Sequence, residues 1–177
     1  GAAEQVCDAT PLSELEDVLV GRPGEPGEPL YYREEIYHPA LTEPLIARGH
    51  FELRRDGSLV RHQSEPEVET VRIGEDFVFI RRESEGGESN ILPIPSDLEF
   101  LFTSLRAIIG QAGPEVLSSY SLQLETGVFG WRLALSPGGR ESSAARLVVE
   151  GCGDRAYAVD LEFQDGNRRR ITFEAGS

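Results

Sequence analysis

The residues of this chain that could do metal chemistry are its three histidines, which recur at intervals of twelve positions. They are His38, His50 and His62. Zinc ligands are usually separated by about two to five residues within each half of a site, and this spacing matches no such pattern. We expect His50 and His62 to lie on neighbouring strands and to face outward. The sequence therefore predicts no metal site and no cofactor.

Sequence patterns that support nucleophilic or phosphate chemistry are also missing. No serine lies in the G-x-S-x-G turn that exposes a nucleophile, and no glycine-rich phosphate loop opens a helix. The abundant acidic residues are typical of a solvated face. We therefore predict a protein without catalytic residues that is not an enzyme.

A short basic run stands out in this acidic chain. Arg168, Arg169 and Arg170 are consecutive. They could contact a lipid phosphate or an acidic partner surface. They could instead form salt bridges with neighbouring acidic strands, and this second interpretation is the one we favour.

The two cysteines leave two possibilities open. Cys7 and Cys152 either form one disulfide, as an even count permits in an exported protein, or remain separate thiols. Sequence alone does not test the geometry that a bridge requires. Glu4, Gln5 and Val6 precede Cys7 and are not the small residues expected before a lipid-anchored cysteine. We therefore do not interpret Cys7 as an anchor.

Length and charge limit the class of protein. The 177 residues fit one domain, residues 1–177, and 39% of them are hydrophobic, enough for a sizeable core. The net charge of −14 repels nucleic acid and anionic bilayers, so we predict no nucleic-acid partner. The chain contains no methionine, and we expect that a signal peptide has been removed from an exported protein.

Alternating apolar residues predict a mostly β chain. Thr10 and Pro11 open a short first helix, and residues 21–29 form a loop. Asp56–Gly57 is a strong hairpin signal, and short turns between consecutive strands imply antiparallel pairing. About ten to eleven strands are predicted, at residues 30–37, 46–55, 58–64, 69–73, 77–82, 90–94, 120–126, 130–135, 145–151, 157–164 and 168–174.

One helix interrupts the strands in the middle of the chain. Ser96 is its expected cap and Gly110 its expected end. A second, shorter helical piece is expected at residues 114–119. The apolar stripe of the first helix comprises Leu98, Leu101, Phe102, Leu105, Ile108 and Ile109.

An ordered series of weak motifs carries a family resemblance. The first motif, L..PL...G.F.L, comprises Leu41, Pro44, Leu45, Gly49, Phe51 and Leu53, and Arg55, Leu59, Arg61 and Pro66 follow it. Later come W.L.L.P, at residues 131–137, and an acidic hairpin at residues 164–169. In this order the motifs resemble the LolA/LolB outer-membrane lipoprotein carriers, especially a shorter LolA-related branch. The resemblance runs from Pro11 to Phe173.

The resemblance implies a fold and a function. The fold is α+β but mostly β: an incomplete antiparallel β-barrel of about ten to eleven strands with a helical lid. The implied function is that of a periplasmic carrier or binding protein for lipidated cargo, either lipoprotein or another acyl-chain lipid, in outer-membrane biogenesis. Its partners would be acyl chains and proteins of the inner or outer membrane, and we expect a monomer. The alternative is a non-catalytic envelope protein-interaction module with a filled core.

The resemblance also implies a ligand-binding cavity beneath the lid. Arg55 matches the arginine that ties the lid to the sheet in this family, so we expect it to face inward and to bond the lid as a latch. Periodicity alone favours an ordinary filled core, whereas the resemblance favours a cavity. The predicted ligand-binding residues are Phe51, Leu53, Arg55, Leu59, Phe77, Phe79, Leu101, Phe102, Leu105, Ile108, Trp131 and Leu133.

Overall fold

A computed structural model describes residues 7, 27–109, 114–153 and 155–174 of the chain. Within these residues, eleven strands form one antiparallel sheet, and a single α-helix follows the sixth strand. The first predicted helix and the end predicted at Gly110 lie outside the described residues. None of the helices in the described part of the chain has the length and apolar character needed to cross a membrane.

The strands agree with the alternation in the sequence to within two residues at each end. They are β1 Pro29–Tyr37, β2 Leu45–Leu53, β3 Leu59–Glu65, β4 Glu69–Ile73, β5 Phe77–Arg82, β6 Ser89–Pro93, β7 Ser121–Gly127, β8 Gly130–Ser136, β9 Ala144–Cys152, β10 Arg155–Phe163 and β11 Arg168–Phe173. Their order across the sheet is β6-β5-β4-β3-β2-β1-β11-β10-β9-β8-β7. Because β6 and β7 are the two edges, the barrel is incomplete.

The helix connects the two edge strands. A 3-10 turn at Ser96–Leu98 leads into α1, Glu99–Ile108, and a second 3-10 turn at Pro114–Leu117 precedes β7. Ser96 belongs to the first turn and its side chain makes no capping bond, so the predicted cap was wrong. The predicted incomplete barrel with a helical lid is confirmed. The sheet is open, it has eleven strands among the described residues, and a helix connects its two edges.

The core lies between α1 and one face of the sheet. The buried core residues come from both halves of the sheet. Residues on the same face of paired strands lie side by side, so these residues form one cluster. Phe100 and Tyr120 pack edge to face, with ring centroids 4.9 Å apart. The buried cluster comprises Tyr32, Phe51, Leu59, Phe100, Leu105, Ala107, Ile108, Ile109, Leu117, Tyr120, Trp131, Leu133, Leu135, Ala144, Leu147, Val149, Val159, Leu161 and Ile171.

A disulfide joins the start of the chain to the sheet. Cys7 and Cys152 are bonded, with their Cα atoms 5.7 Å apart, a usual distance for a bridge. The Cys7 amide also donates to the Val128 carbonyl at 2.9 Å. Of the two possibilities that the sequence leaves open, the structure has the disulfide.

Candidate functional site

Half of the twelve residues predicted to line a cavity under the lid belong to the buried core cluster. Their side chains are buried and belong to one hydrophobic cluster. This group comprises Phe51, Leu59, Leu105, Ile108, Trp131 and Leu133. Leu53 is buried as well, and Leu101 and Phe102 are half-buried. Phe100, which the predicted stripe omitted, is one of the buried helix residues.

Arg55 does not face inward, so the predicted latch position was wrong. Strand β2 ends at Leu53, and Arg55 is an exposed residue of the turn that leads to β3. Arg55 already belongs to the hairpin turn that contains Asp56 and Gly57. The inward–outward alternation of β2 therefore does not apply to it. Asp56 accepts hydrogen bonds from the amide and hydroxyl of Ser58, and these donors lower the pKa of Asp56 to about 2.

The inward arginine is Arg61, on β3. Its partners across the sheet are Phe51 on β2 and Val71 on β4, and it shares a face with the core residue Leu59. Arg61 donates to the Tyr32 hydroxyl at 2.9 Å and to the Glu34 carboxylate at 3.0 Å. None of these contacts reaches the helix, so Arg61 ties strands together rather than holding the lid.

Glu34 is the centre of this inner ion cluster, which comprises Glu34, Arg61 and Arg169. Only 1% of Glu34 is exposed, and Arg169 donates to its second oxygen at 3.0 Å. Burial of the Arg61 guanidinium opposes its charge, but Glu34 and Tyr32 outweigh that effect and raise the pKa of Arg61. Arg61 and Gln63 alternate with the core residue Leu59 along β3 and therefore lie on the core face. This alternation is a signal that sequence reasoning missed.

The rest of the basic run forms salt bridges, as we favoured. Arg168 lies 3.1 Å from Asp160, and Arg170 pairs with Asp160 and, at 3.7 Å, with Glu150. Asp160 belongs to β10, the strand next to β11, and Glu150 belongs to β9, the strand beyond it. The positive charge of the run is therefore largely matched within the sheet.

A pocket of about 450 Å³ lies beside the other face of the β3–β6 region. Val60, Arg72, Phe79 and Ile91 are successive cross-strand partners, so they share the face opposite to that of Leu59. All four line the pocket, together with Phe77. Ile91 is 66% exposed and Phe77 is 57% exposed, so the apolar wall opens to solvent.

Five charged residues line this pocket, three arginines and the acidic Asp56 and Glu75, and we call it the arginine-rimmed pocket. Arg54, Arg72 and Arg106 line it, the last from the helix. Arg72 is paired with Asp56 and donates to the Ser58 hydroxyl at 3.1 Å. The Nε atom of Arg106 is buried and has no hydrogen-bond partner within the part of the chain that the structure describes. Of the predicted site residues, Phe77 and Phe79 line this pocket.

Two histidines and a glutamate meet on neighbouring strands. His50 on β2 and His62 on β3 are direct cross-strand partners with stacked rings, whose centroids are 4.7 Å apart. The His62 Nε2 atom lies 3.4 Å from the Glu52 Oε2 atom. Burial, reinforced by His62, lowers the pKa of His50. His38 lies apart, in the loop after β1, where its Nδ1 atom accepts a hydrogen bond from the Ala40 amide.

The open antiparallel barrel, with a helix joining its two edge strands, defines a LolA-like fold. A solved LolA superfamily protein from Nitrosomonas europaea superposes with a TM-score of 0.50 and 9% identity, over 91% of this chain and 90% of that chain. The predicted LolA-like fold is thus confirmed, and at this identity the likeness shows the fold alone.

A second solved structure is less similar. It is a putative outer-membrane lipoprotein-sorting protein domain from Vibrio parahaemolyticus, with a TM-score of 0.44 and 10% identity over 86% of each chain. No protein-family model matches the sequence, and no curated protein matches it.

Proposed function

We propose that this protein is a non-catalytic periplasmic carrier or binding protein for lipidated cargo, and that it holds one acyl chain in the arginine-rimmed pocket. The observation that carries the proposal is the pocket itself, in which the row of cross-strand partners supplies three apolar side chains and one arginine, and two further arginines complete the lining. Its volume of about 450 Å³ lies within the range of about 300–1,000 Å³ typical of ligand pockets.

The burial of the helix residues argues for this pocket rather than for the space beneath the helix. Lifting α1 would expose Phe100, Leu105 and Ile108, which are all buried. At about 1.5–3 kcal/mol for each large apolar side chain, the cost is about 5–9 kcal/mol. An acyl chain entering beneath the lid would have to offset this cost, whereas the arginine-rimmed pocket is already open.

The chemistry of the rim suits an anionic or strongly polar headgroup. Arg54, Arg72 and Arg106 line the pocket and carry permanent positive charge. A carboxylate or phosphate headgroup would pair with these arginines, while the chain lies along Phe79 and Ile91.

The disulfide supports the proposed compartment. Bridges such as Cys7–Cys152 persist in oxidising environments, including the bacterial periplasm, and are rare in the cytosol. The LolA-like fold agrees with an envelope role.

The test is calorimetric titration with dodecanoate below its micelle concentration. We expect saturable binding with one chain per protein. Octanoate has four fewer methylene groups than dodecanoate, and full burial of these groups would contribute about 3 kcal/mol to the binding free energy. Because the pocket is open, we expect only part of this contribution. The Kd of octanoate should therefore be at least about tenfold higher than that of dodecanoate. Dodecanol should bind more weakly than dodecanoate if the arginine rim contacts the headgroup.

Variants locate the binding site. Ile91→Ser and Phe79→Ser should weaken dodecanoate binding, and Arg106→Gln should remove the preference for the carboxylate. Val128→Ser is the matched control, because Val128 is an exposed apolar residue in the β7–β8 turn and does not line the pocket. Equal binding by all four variants, or no saturable binding by the unsubstituted protein, would contradict the proposal.

The exposed edge strand β6 favours one alternative, a protein-interaction module of the envelope. Strand β6 is an exposed edge, with Ile91 and Leu92 open to solvent, and unpaired edges can accept a strand from another chain. The titration separates the two functions, because an interaction module would show no dependence of binding on acyl-chain length.

A further inference from the structure

Three metal-binding side chains converge on one face of the β2–β3 hairpin. His50, Glu52 and His62 each place one donor atom so that all three atoms lie within 4.8 Å of one another. His50 and His62 face each other across the strands, and Glu52 is two residues beyond His50 on the same face. The chain between His50 and His62 runs around the β2–β3 hairpin and returns on the neighbouring strand. Their separation of twelve residues therefore reflects the hairpin and is not a spacing of ligands along one helix or strand.

The backbone around these side chains is set by close strand contact. A bulge at Arg48 and Gly49 precedes the histidine pair. A Cβ atom at Gly49 would lie 1.9 Å from the His62 carbonyl oxygen, so only glycine allows β2 to approach β3 this closely. Tyr31 packs against His50 from β1, with ring centroids 5.6 Å apart. The histidines are therefore positioned before any ligand arrives.

We propose that His50, Glu52 and His62 form a binding site for a late first-row divalent metal ion, with Zn²⁺ as the expected occupant. Two imidazoles and one carboxylate are a ligand set that Zn²⁺ accepts, with a fourth position left for water or for a donor from another molecule. The inference does not depend on the proposed lipid binding, because the site lies on different residues from the arginine-rimmed pocket.

Small side-chain rotations would complete the site. Zinc bonds to nitrogen and oxygen of about 2.0–2.2 Å in tetrahedral geometry require donor atoms about 3.3 Å apart. The His62 Nε2 and Glu52 Oε2 atoms are already 3.4 Å apart, longer than an ordinary N–H···O hydrogen bond of about 2.7–3.2 Å. The third donor lies within 4.8 Å of the other two and needs to approach them by at most about 1.5 Å, which rotation of the half-buried His50 ring provides.

The ion would bridge two strands and should therefore stabilise the folded protein. Ligands that bind only the folded state raise its apparent stability by mass action. Imidazole donors favour Zn²⁺, Ni²⁺ and Cu²⁺ over Ca²⁺ and Mg²⁺, which prefer oxygen. A preference for Zn²⁺ over Mg²⁺ would therefore distinguish binding at this site from weak cation binding by the acidic surface.

The experiment is calorimetric titration of the chelator-treated full chain with ZnCl₂ at physiological ionic strength. We expect a saturable event with one ion per protein and a higher melting temperature with Zn²⁺ than with Mg²⁺. The His50→Gln/His62→Gln double variant should lose this event, and Glu52→Gln should weaken it. His38→Gln is the matched control and should bind like the unsubstituted protein, because His38 lies outside the trio.

Two results would overturn the proposal. One is the absence of saturable Zn²⁺ binding by the unsubstituted protein. The other is Zn²⁺ binding by the double variant equal to that of the His38→Gln control. Circular dichroism of each variant shows whether the fold is retained. If the double variant does not fold, Co²⁺ added to the Glu52→Gln variant provides the second readout, since loss of the carboxylate should change the visible spectrum relative to the His38→Gln control.

Discussion

Glu34 and Arg61 place two opposite charges on the core face of a sheet, where most neighbours are apolar. A buried carboxylate is tolerated only if each oxygen has a partner. Glu34 meets this requirement through Arg61 and Arg169, each at 3.0 Å. The cluster joins β1, β3 and β11, strands that are distant along the chain, so it stabilises the sheet at its centre.

Replacement of Glu34 should be strongly destabilising. Glu34→Gln leaves the buried Arg61 guanidinium without its countercharge, and breaking a buried pair in this way usually costs about 3–5 kcal/mol. Because Arg169 is partly exposed, we expect about 3 kcal/mol, near the lower end. The free energy of unfolding from urea titration measures the effect.

Glu35→Gln is the matched control for this variant. Glu35 is the next residue of β1, points to the opposite face and pairs with the partly exposed Arg33. Its replacement should cost less than about 1 kcal/mol, as for other exposed pairs. A loss for Glu34→Gln no larger than that of the control would show that the inner ion cluster does not stabilise the fold.

The β2–β3 hairpin is the element that positions most of the features described above. Its tip contributes Asp56, Gly57 and Ser58 to the arginine-rimmed pocket, one face contributes Arg61 to the inner ion cluster, and the other contributes the histidine pair. The hairpin depends on two glycines for different reasons. Gly57 has a positive φ of 86°, whereas Gly49 makes close contact with the backbone of β3.

Substitution of these glycines should therefore have unequal effects. At Gly57 an added Cβ meets no atom within 4 Å, so Gly57→Ala should cost about 1 kcal/mol from backbone strain alone. At Gly49 the added Cβ collides with the His62 carbonyl, which cannot move without separating the strands. We expect Gly49→Ala to lower the melting temperature several times more than Gly57→Ala. Equal shifts would contradict the close contact between β2 and β3.

At the scale of the whole molecule, the open sheet is tied by one covalent link. The Cys7–Cys152 bridge spans 145 positions. A loop of this length loses about 5 kcal/mol of unfolded-state entropy at 25 °C in the chain-entropy description. The link is therefore comparable to the total stability of a typical domain, about 5–15 kcal/mol.

Removal of the bridge should produce a large and measurable loss. The Cys7→Ser/Cys152→Ser double variant should unfold at a clearly lower urea concentration, with a loss of about 3–5 kcal/mol. Reduction of the unsubstituted protein should lower the midpoint in the same way, which separates loss of the bond from the effect of the serines. An unchanged midpoint in both samples would mean that the bridge adds no net stability.

The local pattern of the sequence was enough to predict the elements of this fold. Period-two alternation, turn residues such as Asp56–Gly57 and one stripe of helical spacing depend only on neighbours along the chain, so strands, hairpins and the helix were found near their observed positions. An ordered series of motifs then indicated the LolA-like arrangement, which the superposition confirms.

Only the tertiary structure decided which side chains meet. Arg55 follows the end of β2 and is exposed in the hairpin turn, whereas Arg61 lies within β3, where the strand register puts it beside Tyr32 and Glu34. Strand register and contacts between distant residues decide three further features. They are the pairing of Cys7 with Cys152, the membership of the buried core cluster, and the meeting of His50 with His62. A one-residue change of register would exchange the two faces of a strand, and this is why sequence spacing alone does not determine such contacts.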